Sequence, residues 1–132
     1  AASGKTPYVV GGINDARNNG LLTGCVTADE NSPLAQSAEI PIAVDLGPEF
    51  ISGSSRLKAG TAQKMILNMI STACMIHLDH IQGNKMVDMQ LSNDKLKQRG
   101  AKIIADEKKI DISKAADLLE KYGSVRKALL YD

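Results

Sequence analysis

Residues 47–64 read GPEFISGSSRLKAGTAQK and run directly into an apolar segment, MILNMI at residues 65–70. This stretch predicts a Gly- and Ser-rich loop that opens a long helix. Helix N-termini carry unpaired N–H groups and a partial positive charge, so they attract anions, phosphate above all. Ser54 and Ser55 add hydroxyls, and Lys58 adds positive charge. The loop is therefore either a phosphate-binding element or a solvated, basic helix cap, and the residue types alone do not separate the two.

A second loop of similar chemistry opens the chain, where residues 1–9 read AASGKTPYV. Thr6 is a candidate N-cap, and Pro7 suits the first position of a helix. The hydroxyls of Ser3 and Thr6 and the amides from Gly4 to Thr6 are suited to cradle an anion, although a simple helix cap would use the same residues. Gly20 predicts the end of this helix.

Short apolar runs between the two loops predict a βαβ arrangement. Strands are expected at residues 21–28 and 40–44, with a short helix after Ser32 between them. This order is typical of a parallel sheet with helices on both faces, in which ligands bind beyond the carboxyl ends of the strands. The predicted fold class is α/β, a parallel-sheet αβα sandwich with a small C-terminal helical appendage.

The central helix, expected from residue 55 to residue 78, is apolar around most of its circumference. Such a helix is buried on more than one side. A subunit contact, giving at least a dimer, or packing beneath a missing half of the domain would each account for it. Further along, residues from 92 onward predict three short amphipathic helices, capped by Ser92 or Asn93, by Ser113 and by Ser124.

Composition excludes several classes of protein. The 132 residues are 43% hydrophobic and carry a net charge of +1, so nothing indicates a nucleic-acid partner or a membrane span, and a cytoplasmic location is expected. Cys25 and Cys74 lie in apolar runs and read as buried small hydrophobes. His77 and His80 lack a third convergent ligand, so no metal is predicted, and no cofactor is expected.

Long motifs in separate parts of the chain resemble those of the N-acetylmuramic acid 6-phosphate etherases. They are AASG-[RK]-TPYV at the start, GPE-x-I-x-G-S-S-R-x-K-A-G-T-A-Q-K, M-x-L-N-M-x-S-T and G-N-x-M-V-D. The resemblance covers nearly the whole chain. It implies the second part of a sugar isomerase (SIS) domain over residues 1–91, followed by a ubiquitin-associated-like helical appendage over residues 92–132. The sequence departs from the family pattern most clearly at four positions: His77, Asp79, Gln82 and Lys85.

The function implied by the resemblance is a lyase of cell-wall recycling that removes D-lactate from N-acetylmuramic acid 6-phosphate. The reaction is an elimination followed by addition of water, which needs an acid and a base. In the family these carboxylates precede the AASG loop, so no catalytic residue is assigned in this chain. Glu49 is expected to accept hydrogen bonds from sugar hydroxyls or to orient Lys58. The substrate-binding residues expected from the two loops are Ser3, Gly4, Thr6, Glu49, Ser54, Ser55 and Lys58.

Two other functions stay open at this point. SIS domains also serve as non-catalytic sensors of sugar phosphates in regulatory proteins, and the Ser-rich loop fits that use because it supplies contacts without chemistry. A weaker alternative is a structural fragment whose ligand site never forms alone. For the lyase and for the sensor alike, the expected partner is a phosphorylated amino sugar. The expected assembly is a homodimer.

Overall fold

The computed structural model describes residues 1–131, which divide into two compact units with the boundary between Ser71 and Thr72. The first unit contains a small sheet and its helices, and the second contains a hairpin and a helical bundle. The division between residues 91 and 92 expected from the resemblance stays a prediction. In chain order the elements are α1 (Pro7–Asn18), β1 (Gly24–Thr27), α2 (Pro33–Ser37), β2 (Ile40–Ala43), α3 (Leu57–His77), β3 (Ile81–Gln82), β4 (Lys85–Met86), α4 (Asp94–Lys108), α5 (Ile112–Tyr122) and α6 (Val125–Leu130).

The sheet of the first unit is parallel, as predicted. β1 and β2 pair with Gly24 opposite Ile40 and Thr27 opposite Ala43. Strand β1 is shorter than the expected run over residues 21–28. One reason is that the N–H of Thr23 donates to the carboxylate of Glu39 (3.0 Å) instead of to a neighbouring strand. The α/β class is therefore confirmed, with a two-stranded sheet in the part of the chain that the structure describes.

Two local signals predicted helix ends correctly. Gly20 has φ +73° in the left-handed region that favours glycine, and its N–H donates to the carbonyl of Arg17 at 2.9 Å. This is the C′ geometry that ends α1. At the start of α2, Ser32 Oγ accepts a hydrogen bond from the N–H of Ala35 at 3.3 Å. Both ends confirm the sequence predictions.

Helix α3 matches the expected central helix in extent, and its burial by a second subunit or by a missing half of the domain stays a prediction. Within it, Ala59 and Ile66 are buried, whereas most of its large apolar side chains are exposed. Cys74 is also exposed, so its prediction as a buried residue is wrong, while that for Cys25 is confirmed. The exposed apolar side chains of the helix are Leu57, Met65, Leu67, Met69, Ile70, Met75 and Ile76.

The second unit has its core where the three predicted amphipathic helices meet. Ile104 and Val125 are almost fully buried there, together with Ala115 and Leu119. Gly100 lies one turn before Ile104, and a Cβ added to it would come within 3.0 Å of the side chains of Leu119 and Val125. The helices are therefore packed closely enough that position 100 has little room for a side chain.

The caps of this bundle were predicted with one error. Asn93 caps α4 through a side-chain bond from the N–H of Leu96 (3.0 Å), and Ser124 precedes α6, as expected. Ser113 is not the cap of α5. The helix begins earlier, after Asp111, whose carbonyl accepts the N–H of Ala115, so Ser113 lies inside the first turn.

An ion-pair cluster joins α6 to the turn that follows α3. Arg126 donates from Nε and Nη2 to the two carboxylate oxygens of Asp88, each at 2.8 Å, and also contacts the carboxylate and the carbonyl of Asp79. His80 Nδ1 lies 2.9 Å from Asp88 Oδ2. Asp79 has φ +59°, so a residue other than glycine occupies this left-handed position, and the Arg126 contacts stabilise it there.

The two histidines, His77 and His80, lie near the end of α3 and the hairpin that follows it. No cluster of three or more His, Cys, Asp or Glu side chains arranged to hold a metal ion occurs among residues 1–131. His80 instead contacts Asp88. None of the helices in this part of the chain combines the length and the apolar character that crossing a membrane requires.

The Asp88 carboxylate predicts a specific pH dependence. The hydrogen bonds from Arg126, and then that from His80, lower the pKa of Asp88 from 3.8 to about 2. A lowered pKa stabilises the folded state above the unfolded-state value, and this stabilisation is lost as the pH falls through about 2. Because Asp88 is partly exposed, Asp88→Asn is expected to lower the free energy of unfolding by only about 1–2 kcal/mol near neutral pH.

Chemical denaturation followed between neutral pH and about pH 2 would test this dependence. The difference between the parent and Asp88→Asn is expected to shrink towards zero at the acid end. Asp106→Asn, at an exposed position of α4, is the matched control and should show no such convergence. A constant difference at all pH values would contradict the assignment.

Candidate functional site

The first loop, residues 1–6, is fixed at the carboxyl end of β1. The terminal amine of Ala1 donates to the carbonyl of Val26 at 3.0 Å, and the N–H of Leu34 donates to the carbonyl of Gly4 at 3.0 Å. The loop is thereby held between β1 and α2. The structure thus places these residues where the sheet topology predicted a ligand loop.

Gly4 is the residue that makes this close packing possible. It is buried, with φ +62°, and a Cβ built on it would lie 2.2 Å from Ser32 Oγ and 2.8 Å from Thr27 Oγ1. Only glycine combines the left-handed conformation with the missing side chain. This geometry explains why glycine is needed at position 4, while the role of Gly4 in substrate binding stays a prediction.

The start of α1 has no side-chain cap. Thr6 occupies the N-cap position, but its side chain makes no capping hydrogen bond, and the first turn contains no acidic residue. Ser3 Oγ accepts the N–H of Lys5 at 3.4 Å, and Lys5 Nζ lies 3.9 Å from Asp29 Oδ2. The first loop therefore presents hydroxyls and a helix start that no carboxylate of this chain neutralises in residues 1–131.

The second loop, residues 47–56, differs from the first because an internal carboxylate caps the helix that it precedes. The two oxygens of Glu49 accept hydrogen bonds from the N–H groups of Arg56 (3.2 Å), Lys58 (3.1 Å) and Ala59 (3.1 Å). The bonds from Ala59 and Lys58 lower the pKa of Glu49, so the group is held ionised. The backbone donors at the start of α3 are therefore used by Glu49.

The other predicted site residues, Lys58 at the start of α3 and the two serines of the second loop, differ in their contacts. Lys58 Nζ donates a hydrogen bond to the carbonyl of Leu46 at 2.7 Å. The carboxylate of Glu49 therefore accepts a hydrogen bond from the backbone N–H of Lys58 and not from its ammonium group. Ser54 is half-buried and Ser55 is exposed. Neither hydroxyl makes a hydrogen bond in the described residues. No hydrogen bond joins the first loop to the second within residues 1–131.

An acidic recess lies at the carboxyl ends of β1 and β2. It is open to solvent, with a volume of about 270 Å³. Asp29 and Asp45 each accept one backbone N–H at 2.9 Å, which leaves further lone pairs for a ligand. The recess was not predicted from the sequence. The signal for it was an aspartate two residues after the end of each strand, Asp29 after β1 and Asp45 after β2. The lining residues of the recess are Ala28, Asp29, Glu30, Asn31, Ala43 and Asp45.

The start of α1 and the acidic recess favour different chemical groups of a ligand. A phosphate dianion is favoured at the uncapped start of α1 and disfavoured over the carboxylates of the recess. Carboxylates are good acceptors for the hydroxyl and amide donors of a sugar. The geometry is thus suited to a ligand with a phosphate at one end and several hydrogen-bond donors at the other.

Comparison with known proteins gives consistent results. The chain is 60% identical over 129 residues to the N-acetylmuramic acid 6-phosphate etherase of Christiangramia forsetii, covering 98% of this chain and 47% of that protein. The etherase of Bacteroides thetaiotaomicron is 58% identical over the same share of each chain, and that of Symbiobacterium thermophilum is 48% identical over 131 residues. The resemblance to the etherases is confirmed. No family model matches the chain.

The chain corresponds to only one part of these relatives. It spans less than half of the length of the etherases that it resembles, 47% of the first two. It nevertheless matches them over almost all of its own residues. The second loop and the acidic recess fall within the matched part, because the alignment covers 129 of the 132 residues of this chain.

Proposed function

We propose that this chain is the phosphosugar-binding part of a lyase that cleaves the D-lactyl ether of N-acetylmuramic acid 6-phosphate. The products would be N-acetylglucosamine 6-phosphate and D-lactate. The observation that carries the proposal is the 60% identity to a named etherase over 98% of the chain. The acid and the base of the elimination are expected in the part of the longer protein that this chain does not span.

The phosphate is proposed to bind at the first loop. The start of α1 lacks a side-chain cap, whereas Glu49 already occupies the donors at the start of α3. An external anion at α3 would have to displace an ionised carboxylate. The hydroxyls of Ser3 and Thr6 and the amides that follow Gly4 are therefore the proposed phosphate ligands. Ser54 and Ser55 are proposed to add hydroxyl contacts from the second loop.

The sugar ring is proposed to lie over the acidic recess. Asp29 and Asp45 would accept hydrogen bonds from its hydroxyls, since both retain free lone pairs. A carboxylate accepts about four hydrogen bonds, and Glu49 already accepts three, so one position on Glu49 also remains for a sugar hydroxyl. Lys58, held at Leu46, would approach the ligand from the same side.

The complete αβα sandwich is proposed to form with a further parallel strand from the rest of the longer protein. The outer edge of β1 already pairs with residues 1–2, because the N–H of Ala28 donates to the carbonyl of Ala2 at 2.8 Å. An apolar groove of about 580 Å³ is lined by residues of both strands, by Val9 and Leu34, and by residues of α3. Gln63, which also lines it, has a buried Nε2 atom without a partner among the described residues. A strand would cover the groove and offer an acceptor.

A homodimer is proposed as the working assembly. Met65, Met69 and Ile76 form an exposed apolar face of α3 outside the apolar groove, and a surface helix of a stable monomer usually presents fewer large apolar side chains. A two-fold contact would bury this face against its equivalent in a second copy. Light scattering of the longer protein that reports a monomer over a wide concentration range would contradict this.

Ser3→Ala is expected to weaken the binding of N-acetylglucosamine 6-phosphate by about ten- to a hundredfold, because it removes one hydrogen bond to a charged phosphate. Ser54→Ala is expected to have a similar effect. The measurement is calorimetry on the longer protein that includes this chain. Ser37→Ala, in α2 and away from both loops, is the matched control and should bind as tightly as the parent.

Two outcomes would contradict the proposal in different ways. If both serine variants bind as tightly as the parent, the loops are helix caps and the ligand site is elsewhere. If the parent binds the phosphosugar but releases no D-lactate from N-acetylmuramic acid 6-phosphate, the sensing function is favoured over the lyase. Glu49→Gln is expected to change the preference among sugars more than the affinity for phosphate.

A further inference from the structure

The second loop exposes two large apolar side chains next to each other, Phe50 and Ile51, which we call the loop tip. Phe50 is 93% exposed and Ile51 is 65% exposed. Single exposed apolar residues are common, but adjoining large ones mark a contact site for a ligand or for another chain. None of the contacts proposed above for the phosphosugar uses either residue.

The second loop is anchored through its first residues in the part of the chain that the structure describes. The N–H of Gly47 donates to Asp45 Oδ1 at 2.9 Å, and Glu49 accepts the N–H groups at the start of α3 at 3.1–3.2 Å. Residues 50–55 make no hydrogen bond to a residue outside the loop among residues 1–131. Segments with few such bonds move at low cost. The loop tip is therefore able to move while Glu49 stays bound to α3.

A glycine follows the loop tip at the position where a hinge is needed. Gly53 has φ +86°, in the region that favours glycine. A Cβ added to it would meet nothing within 4 Å, so the space beside this position is open. Hinges are formed by a few loop residues that absorb changes in φ and ψ, and glycine absorbs them most easily. The loop tip thus lies between an anchor, Glu49, and a hinge, Gly53.

Both anchors of the second loop are also proposed ligands of the sugar. Asp45, which accepts the Gly47 N–H, lines the acidic recess, and Glu49 keeps one position for a sugar hydroxyl. The loop tip follows Glu49 directly, and a chain spans at most about 3.3–3.6 Å per residue, so both tip residues lie within roughly 7 Å of the anchored backbone. A sugar held by Glu49 is therefore within reach of the side chains of Phe50 and Ile51.

We propose that the second loop is a lid, and that Phe50 and Ile51 close over the apolar C–H face of the phosphorylated amino sugar. This inference rests on the proposed function, because it needs the sugar in the acidic recess. The recess and the first loop supply the polar contacts, whereas the loop tip supplies apolar contact and excludes water from the bound sugar. Inorganic phosphate has no C–H face, so it should bind without closing the lid.

The test is hydrogen exchange of the longer protein with N-acetylglucosamine 6-phosphate and, separately, with inorganic phosphate. We expect the amides of residues 50–53 to exchange about threefold to tenfold more slowly with the saturating sugar phosphate, and at an unchanged rate with inorganic phosphate. Both ligands should protect the first loop. Protection of the first loop alone by the sugar phosphate would overturn the lid and leave the proposed function standing. Protection of neither loop would contradict the proposed function, and the lid with it.

Two matched variants measure what the loop tip contributes to binding. Ile51→Ala is expected to speed dissociation of N-acetylglucosamine 6-phosphate about threefold to tenfold and to leave the affinity for inorganic phosphate unchanged. Ile112→Ala removes the same atoms from an exposed site of the helical unit and should change neither quantity. The lid is overturned if the two variants release the sugar phosphate equally fast. It is also overturned if residues 50–53 become protected with rising protein concentration and no ligand, since a second copy of the chain would then cover the loop tip.

Discussion

Gly4→Ala is expected to lower the free energy of unfolding of the first unit by about 3–5 kcal/mol, because two penalties act at one position. The backbone at Gly4 has φ +62°, which disfavours any residue with a Cβ. The added Cβ would also lie 2.2 Å from Ser32 Oγ and 2.4 Å from Ser32 Cβ. Ser32 cannot easily move, because it caps α2 and is fully buried.

The same substitution is expected to abolish phosphosugar binding in the longer protein. The first loop is held to α2 by the bond between the Leu34 N–H and the Gly4 carbonyl, so a displaced Gly4 would move the neighbouring hydroxyls of Ser3 and Thr6. Gly11→Ala is the matched control. Its Cβ would meet nothing within 4 Å, and alanine in the middle of α1 should stabilise the helix by about 0.5–1 kcal/mol.

Hydrogen exchange of the amides in β1 and α2 would measure the effect on the first unit by itself. Gly4→Ala should lose protection throughout these elements, and Gly11→Ala should keep it. Unchanged protection in Gly4→Ala would mean that the loop can move away from Ser32, and that its close packing does not hold the candidate site in place.

Sequence reasoning correctly placed the helix ends that are set by residues close to them in the chain. Gly20 ends α1 and Ser32 begins α2 because each acts on residues within a few positions of itself. The parallel pairing of β1 with β2 followed from the order of the elements alone. Short-range backbone chemistry of this kind can be read from one sequence, because the interacting groups are neighbours in the chain.

The role of Glu49 could not be read in the same way. It caps α3 from seven to ten residues away, and the usual capping pattern places the acid at the helix start or three residues inside it. Whether a loop carboxylate folds back on a helix depends on the path of the loop, which no periodicity encodes. The sequence therefore indicated that donors of both loops converge on one phosphate, whereas, of these two helix starts, the structure leaves that of α1 without a carboxylate cap.

The sequence showed that α3 is apolar but could not show what covers it. The sequence predicted a helix covered on more than one side, and the described chain leaves most of its apolar face open. Periodicity reports how apolar a face is but not which chain covers it. The buried Nε2 of Gln63 in the adjacent apolar groove supports the same interpretation, since an unpaired buried amide is costly and invites an acceptor from outside these residues.

Ile104→Ala is expected to have the largest effect on the helical unit, lowering its free energy of unfolding by about 3–4 kcal/mol. Ile104 has no exposed surface and lies at the centre of the cluster formed by α4, α5 and α6. Gly100, one turn away, already brings α4 close to Leu119 and Val125, so these neighbours have little freedom to fill a cavity. An unfilled cavity adds to the loss of buried apolar surface.

Two control variants, Ile104→Val and Ile112→Ala, each remove less buried apolar surface than Ile104→Ala. Ile104→Val should destabilise by only about 0.5–1.5 kcal/mol, since it removes a single methylene. Ile112→Ala removes the same atoms as Ile104→Ala from a side chain that is 55% exposed, and should change stability by no more than about 0.5 kcal/mol. Exchange protection of the α4 and α5 amides gives the free energies directly. If Ile104→Ala and Ile112→Ala lose equal protection, burial at this cluster is not what stabilises the bundle, and its stability must come from the Arg126 contacts and the helix caps instead.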